Sequence, residues 1–322
     1  MAELLPFTRA SVIQLSSSLN EPEWMLALRL NAWEIYASLP VPTTRDEAWR
    51  RTDIRRFKLD SFGISLNGTG ASSVEVPNHL GAQLTDDAAG GVLVEVDGVV
   101  KEYTLSDELR AQGVIFCDMH TAVREHGDLV RKYFMTEAVR PDEGKFAALH
   151  GAFWRGGVFL YVPRGVKASA PLHSVFWALH GRTFIHTLVV LDANSEATFM
   201  DEYASPAKGE GQALHNGAIE LIVRDGASLH YASLQDFGSN VWQFNHECGR
   251  VGKDGKLDWI TSVMGTRLTK AFQTSQLDAP GAWARMSGIF FINGRQHVDL
   301  DTQQNHNAAD TTSDLLYKGA LR

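Results

Sequence analysis

Three groups of side chains in this sequence could do chemistry. His246-Glu247-Cys248 puts an imidazole, a carboxylate and a thiol within three residues. Neighbours on a strand face opposite ways, so only His246 and Cys248 could converge, and two such donors make half of a metal or cluster site. The plainer alternative is a cysteine packed in a β core as a small apolar residue. His173, His180 and His186 form the second group. The even separation of His180 and His186 would put them on one face of a strand, where a third ligand could complete a metal site. Otherwise they are solvent-facing or core histidines. The third group is His297, Asp299 and Asp301, which alternation places on one side of a strand. That side is a cation site, a proton relay, or the charged wet face of an edge strand. No Gly-rich phosphate loop, nucleophile elbow or His-Glu-x-x-His occurs. No His-x-His pair occurs either, which leaves a metal-dependent enzyme on a cupin-like barrel without support.

The elements that would position these groups are strands. After Gly151 the sequence repeats a strand, a polar turn and another strand, as in TLVVLDANSEATFMDEY, IELIVRDGASLHYASLQDF and RVGKDGKLDWITSVMG. The turn cores Asp192-Ala193-Asn194, Asp225-Gly226-Ala227 and Asp254-Gly255-Lys256 recur roughly every 30 residues, a spacing typical of stacked repeats. Asp, Asn and Gly supply the left-handed backbone that sharp corners need. Each unit leaves its turn with an alternation ending on an aromatic: Phe199, Tyr231, Trp259. The short run at 157–162, clipped by glycines and Pro163, reads as one more rung. A single unit cannot bury its apolar face but a stack can, so residues 151–322 read as a β-solenoid. A closed barrel is the alternative.

Residues 1–150 read as a helical and mixed α/β module. Asn20 and Glu23 form a candidate capping box for a helix that Pro40 and Pro42 stop. A short helix from Thr44 is expected next, then short strands and turns over 57–103, then helices over 106–150.

Composition excludes several classes. A formal charge of −8 with no Lys/Arg-rich run argues against nucleic acid. No apolar run approaches the ~20 residues that cross a bilayer. Two distant cysteines make no disulfide framework, so a reducing cytoplasm is expected.

Four stretches carry a family resemblance across nearly the whole chain: NEPEWMLALRLNAWEIYASLPVPTTRDEAWRRTDIRRF, GGVFLYVPRGV, RTFIHTLVVLDANSEATFMDEYASP and DTQQNHNAADTTSDLLYKGAL. They resemble the SufB/SufD family of iron–sulfur cluster assembly proteins, on its SufD side. The resemblance implies a mainly β protein with a right-handed parallel β-helix core. It also implies a non-catalytic scaffold that pairs with a SufB-like paralogue and a SufC-like ABC ATPase, in a complex linked to an iron–sulfur cluster. No cofactor is assigned to this chain alone. SufB-like members carry a cysteine linked to sulfur acceptance where this sequence has Tyr203, which favours SufD. A SufB-like scaffold that holds the nascent cluster through His246 and Cys248 is the alternative. By the same resemblance the chain stops at Arg322, before further rungs, a Cys-x-His-Gly stretch and the helical region that docks the ATPase.

Overall fold

The polar corners set the architecture. A computed structural model describes residues 4–66, 77 and 89–322, and six of its corner residues have left-handed backbone: Gly165, Asn194, Gly226, Asp254, Gly281 and Asp310. At the third predicted corner it is Asp254, not Gly255, that takes this conformation. The corners stack through their backbones. The N–H of Asn194 donates to Asp225 O at 2.9 Å, Gly226 to Lys253 O at 2.7 Å and Asp254 to Pro280 O at 3.1 Å.

Between corners run two strands per turn. One parallel sheet contains β6 (Gly157–Val162), β9 (His186–Leu191), β11 (Ala213–Val223), β13 (Val241–Val251), β15 (Leu268–Leu277) and β17 (His297–His306). The other contains β7 (Leu172–Trp177), β10 (Glu196–Ala204), β12 (Ser228–Asp236), β14 (Lys256–Val263), β16 (Trp283–Ile292) and β18 (Thr312–Leu321). The result is a β-solenoid of six turns, as the repeats predict; two open parallel sheets replace the barrel alternative. A two-residue strand, β8 (Arg182–Thr183), pairs beside β11. In the front module β1 (Leu5–Pro6) and β2 (Gly63–Ile64) form a separate antiparallel pair, and three further strands extend both sheets. Strand β3 (Gly91–Val96) pairs parallel with β7 and antiparallel with β4 (Val99–Leu105), and β5 (Ile115–Asp118) pairs antiparallel with β6.

The predicted aromatics form a register ladder inside the solenoid, Phe199 beside Tyr231 beside Trp259 beside Met286, all buried. Facing them, Leu191, Val223, Val251 and Leu277 align on the other sheet. Each such aliphatic side chain stabilises the fold by about 1.5–3 kcal/mol.

The outer face of the β11 sheet is covered too. Helices α1 (Arg9–Ser18), α2 (Glu23–Ser38) and α6 (Lys145–Phe153) pack there, with α4 (Met119–Glu125) and α5 (Gly127–Tyr133) beside them. Phe146 stacks on Phe244 with ring centroids 3.8 Å apart. Both faces of β11 are therefore inaccessible, and all eleven of its residues are buried. A short helix, α3 (Asp107–Ala111), capped by Ser106, completes the module.

Two local expectations for the front module fail. Asn20 does not cap α2; it is the left-handed residue (φ 52°) following α1, and Pro22 precedes the first turn of α2 without a side-chain cap. Glu21 is engaged elsewhere, in a bidentate ion pair with the fully buried Arg29 at 2.6 and 2.7 Å. The helix expected from Thr44 is only a single 3-10 turn, Glu47–Trp49, because its apolar residues are only Ala48 and Trp49, of which Trp49 inserts beside Phe146 and Phe244. Most of the strand-and-turn reading over 62–76 lies outside the described residues.

Candidate functional site

The most organised polar site lies between the β11 sheet and the helices. His150 comes from α6, His186 opens β9, and Glu220 projects from the outer face of β11. All three are buried. His150 Nδ1 lies 3.0 Å from Asn216 O, His150 Nε2 lies 3.1 Å from His186 Nδ1, and His186 Nε2 lies 3.0 Å from Glu220 Oε2. Glu220 also accepts the backbone N–H of Met135 at 2.8 Å and of Val139 at 3.0 Å. These donors belong to the irregular segment after α5, whose buried N–H groups need partners. Phe134 stacks on the His186 ring at 4.0 Å.

The geometry fixes the protons. A carbonyl only accepts, so His150 Nδ1 must carry hydrogen. Burial, with His186 beside it, holds the His150 imidazole well below its ordinary pKa, so it is neutral and its Nε2 accepts. His186 Nδ1 must then be the donor. One further proton lies between His186 Nε2 and Glu220 Oε2. Burial raises the Glu220 carboxyl to about 8 against the pull of the two backbone donors, and lowers His186 to about 3, so the proton rests on Glu220. The chain is a one-way relay of neutral groups, Glu220 to His186 to His150 to Asn216 O.

His246 and Cys248 do share a face of β13, as alternation requires, and lie beside this relay: His246 pairs in register with Ala218, and Cys248 with Glu220. Burial, with Glu143 and Glu220 nearby, pushes the Cys248 thiol well above its ordinary pKa. Burial and Lys270 hold His246 at about 4, its ring stacked on Phe272 and its Nδ1 without a hydrogen-bond partner. No third donor completes a cluster of His, Cys, Asp or Glu among the described residues. Cys117, raised to about 12 chiefly by burial, is likewise a poor thiolate. Neither thiol should react with a disulfide reagent within minutes in the folded protein, and both should react once guanidinium unfolds it. Rapid native labelling of Cys248 would overturn this.

The three early histidines are not brought together. Gly181, with φ 72°, and the two-residue β8 break the strand between His180 and His186, so parity no longer fixes their faces. His180 instead meets Asp97 at 2.5 Å, and His173, on the sheet that does not hold His186, lies 3.4 Å from Glu202 of the neighbouring strand β10. His297, Asp299 and Asp301 do share a face of β17, but it is more than a wet edge. Lys270, only 1% exposed, reaches Asp299 at 3.0 Å and Asp301 at 3.6 Å. Thr52 donates to Asp299 and lies 3.1 Å from His297 Nε2. The cluster ties the front module to the solenoid.

Sequence reasoning missed a polar column inside the solenoid. Asp201, fully buried, accepts hydroxyls from Ser174, Thr187 (2.8 Å), Tyr203 (3.0 Å) and Tyr231 (2.8 Å). Burial raises its carboxyl despite these donors. Glu247, raised likewise, accepts from Asn245 at 3.0 Å and Gln273 at 2.7 Å. Inward alternation in MDEY would have placed Asp201 beside Tyr203, but not their partners from other turns.

Residues 11–173 of this chain match the SufBD protein N-terminal region, and residues 178–322 match the family described as SUF system FeS cluster assembly, SufBD core domain. The chain belongs to the SufBD family. It is similar to the iron–sulfur cluster assembly protein SufD of Bacillus subtilis, 31% identical over 309 residues that cover 94% of this chain and 69% of that protein. SufB of the same organism is 27% identical over 326 residues, covering 97% and 68%. A SufBD family protein of Staphylococcus epidermidis is 28% identical with the same coverage. The protein is thus a SufBD-family component of iron–sulfur cluster assembly. No helix among the described residues is long and apolar enough to cross a membrane.

Proposed function

We propose that this SufBD-family chain is a SufD-like, non-catalytic scaffold subunit of the cytoplasmic SUF complex. It pairs with a SufB-like paralogue and a SufC-like ABC ATPase. In this reading residues 1–150 form the docking and covering module, and residues 151–322 form the solenoid on which assembly takes place. The observation that carries the SufD side is Tyr203. At the position where the resemblance gives SufB-like members a sulfur-accepting cysteine, this chain has a phenol buried between Asp201 and Thr187 at 3.0 Å from each. Such a group accepts no sulfur. Tagged protein purified from its own cells under iron limitation should bring down an ABC-type ATPase and a paralogue that carries the cysteine. Recovery of the protein alone would overturn the scaffold reading.

The second reading, a SufB-like scaffold holding the nascent cluster through His246 and Cys248, is favoured by their shared face and the unpartnered His246 Nδ1. It requires further ligands from a partner and an opened helical cover. Anaerobic reconstitution separates the two. A cluster chromophore lost in Cys248→Ser supports the second reading, whereas a chromophore indifferent to that substitution, or none, supports the first.

A further inference from the structure

We propose that Arg155 and Arg182 form a binding site for a small tetrahedral oxyanion, at the seam between the front module and the first turns of the solenoid. A cavity of about 50 Å³ lies there, with Phe153 and Phe184 as apolar walls and Arg155, Arg182, Asp97 and His180 as its charged and polar lining. That is room for about four water-sized bodies, the scale of one such anion.

The two guanidinium groups share the attraction of one cavity carboxylate, Asp97. Arg155 is held by its backbone N–H to Phe184 O at 2.8 Å and by Nη1 to Ser65 O, but its Nε is buried without a hydrogen-bond partner. The guanidinium of Arg182, half-buried on β8, makes no side-chain hydrogen bond with any described residue. Asp97 is a single negative charge for two guanidinium groups, and it also accepts the N–H of Leu179 at 2.9 Å and of His180 at 3.3 Å, besides meeting His180 Nδ1. The nearest other carboxyl, Glu95, is fully buried and raised by that burial to about 8, so it stays protonated at neutral pH. Burial also holds both guanidinium groups below their ordinary values. Two desolvated cations sharing one recess are costly unless an anion joins them. The planar arginine fork matches an oxyanion in a bidentate way, and apolar walls strengthen the attraction.

Inorganic phosphate is the probe. At ionic strength held constant with sodium chloride, thermal melts of the whole chain should show a melting temperature that rises with phosphate, following the logarithm of its concentration once the site is filled. Arg182→Gln should weaken the apparent affinity at least tenfold, and Arg182→Lys, which keeps the charge and loses the fork, should fall between. A phosphate effect no larger than that of chloride overturns the site, as does an Arg182→Gln response equal to the wild type. Should Arg182→Gln fail to fold, a phosphorus NMR titration of wild type and Arg182→Lys decides. Saturable broadening weakened by the lysine supports the site, and broadening that is absent, unsaturable or unchanged overturns it.

Discussion

Replacing Glu220 by alanine will destabilise the fold by about 4 kcal/mol or more, because three buried groups lose their partner at once. The N–H groups of Met135 and Val139 and the Nε2 of His186 all terminate on this carboxyl. A buried polar group left unsatisfied costs about 1–3 kcal/mol, and a domain's whole stability is about 5–15 kcal/mol. Urea unfolding would read the loss. A decrease below about 1 kcal/mol would show that water or a rearranged segment takes the place of the carboxyl group.

Glu220 and His186 also set a pH signature. Glu220 rises from 4.5 to about 8 on folding and His186 falls from 6.5 to about 3, both through burial. Glu220 therefore contributes stability that is complete below 4.5 and lost as pH climbs to 8. His186 contributes stability that is complete above 6.5 and lost as pH falls to 3. Between 4.5 and 6.5 the folded pair binds one proton, on Glu220, and the unfolded pair also binds one, on His186, so stability from the pair is flat there. Above 6.5 the folded state holds a proton that the unfolded state has lost, and stability falls by about 1.4 kcal/mol per pH unit up to 8. Below 4.5 it falls again toward 3. Glu220→Gln removes the alkaline limb, so the difference between wild type and variant should narrow from pH 6.5 to 8. A difference constant over that window would place the proton elsewhere.

The second large effect is expected at Gly157, where β6 meets β9. Its φ is 130°, and a Cβ added there would lie 2.0 Å from the carbonyl oxygen of His186 and 2.7 Å from its backbone nitrogen. Both obstructing atoms are backbone in the paired strand, with Gly157 directly opposite His186, so no rotamer relieves the contact. Gly157 also donates its N–H to Glu95 at 3.0 Å, which fixes it from the other side. Gly157→Ala should separate the first rung from the second and cost at least about 4 kcal/mol, at the upper end of single substitutions. Gly165→Ala is the control. Its φ is also positive, at 74°, yet a Cβ there meets nothing within 4 Å, so only the left-handed conformation is penalised, by about 1–2 kcal/mol. Comparable melting temperatures for the two variants would sink the steric argument.

The solenoid was readable from the order of residues alone, because its signals are local. Strand alternation puts Phe199, Tyr231 and Trp259 on one side, and the polar corner triplets mark where each turn bends. Both follow from backbone geometry within a few residues. For the same reason the shared faces of His246 with Cys248 and of His297 with Asp299 and Asp301 were legible: each group lies within one uninterrupted strand. The reading failed where a local rule was broken, as at Gly181 between His180 and His186, or where a cap candidate took another backbone conformation, as when Asn20 turned left-handed after α1. The relay and the interior column arise from long-range packing that no local pattern encodes. His150 meets His186 across 36 residues and Glu220 meets Met135 across 85, while Asp201 gathers hydroxyls from neighbouring turns. Burial then moved the protons, since the solvation that sets an ionisable group's pKa depends on everything packed around it.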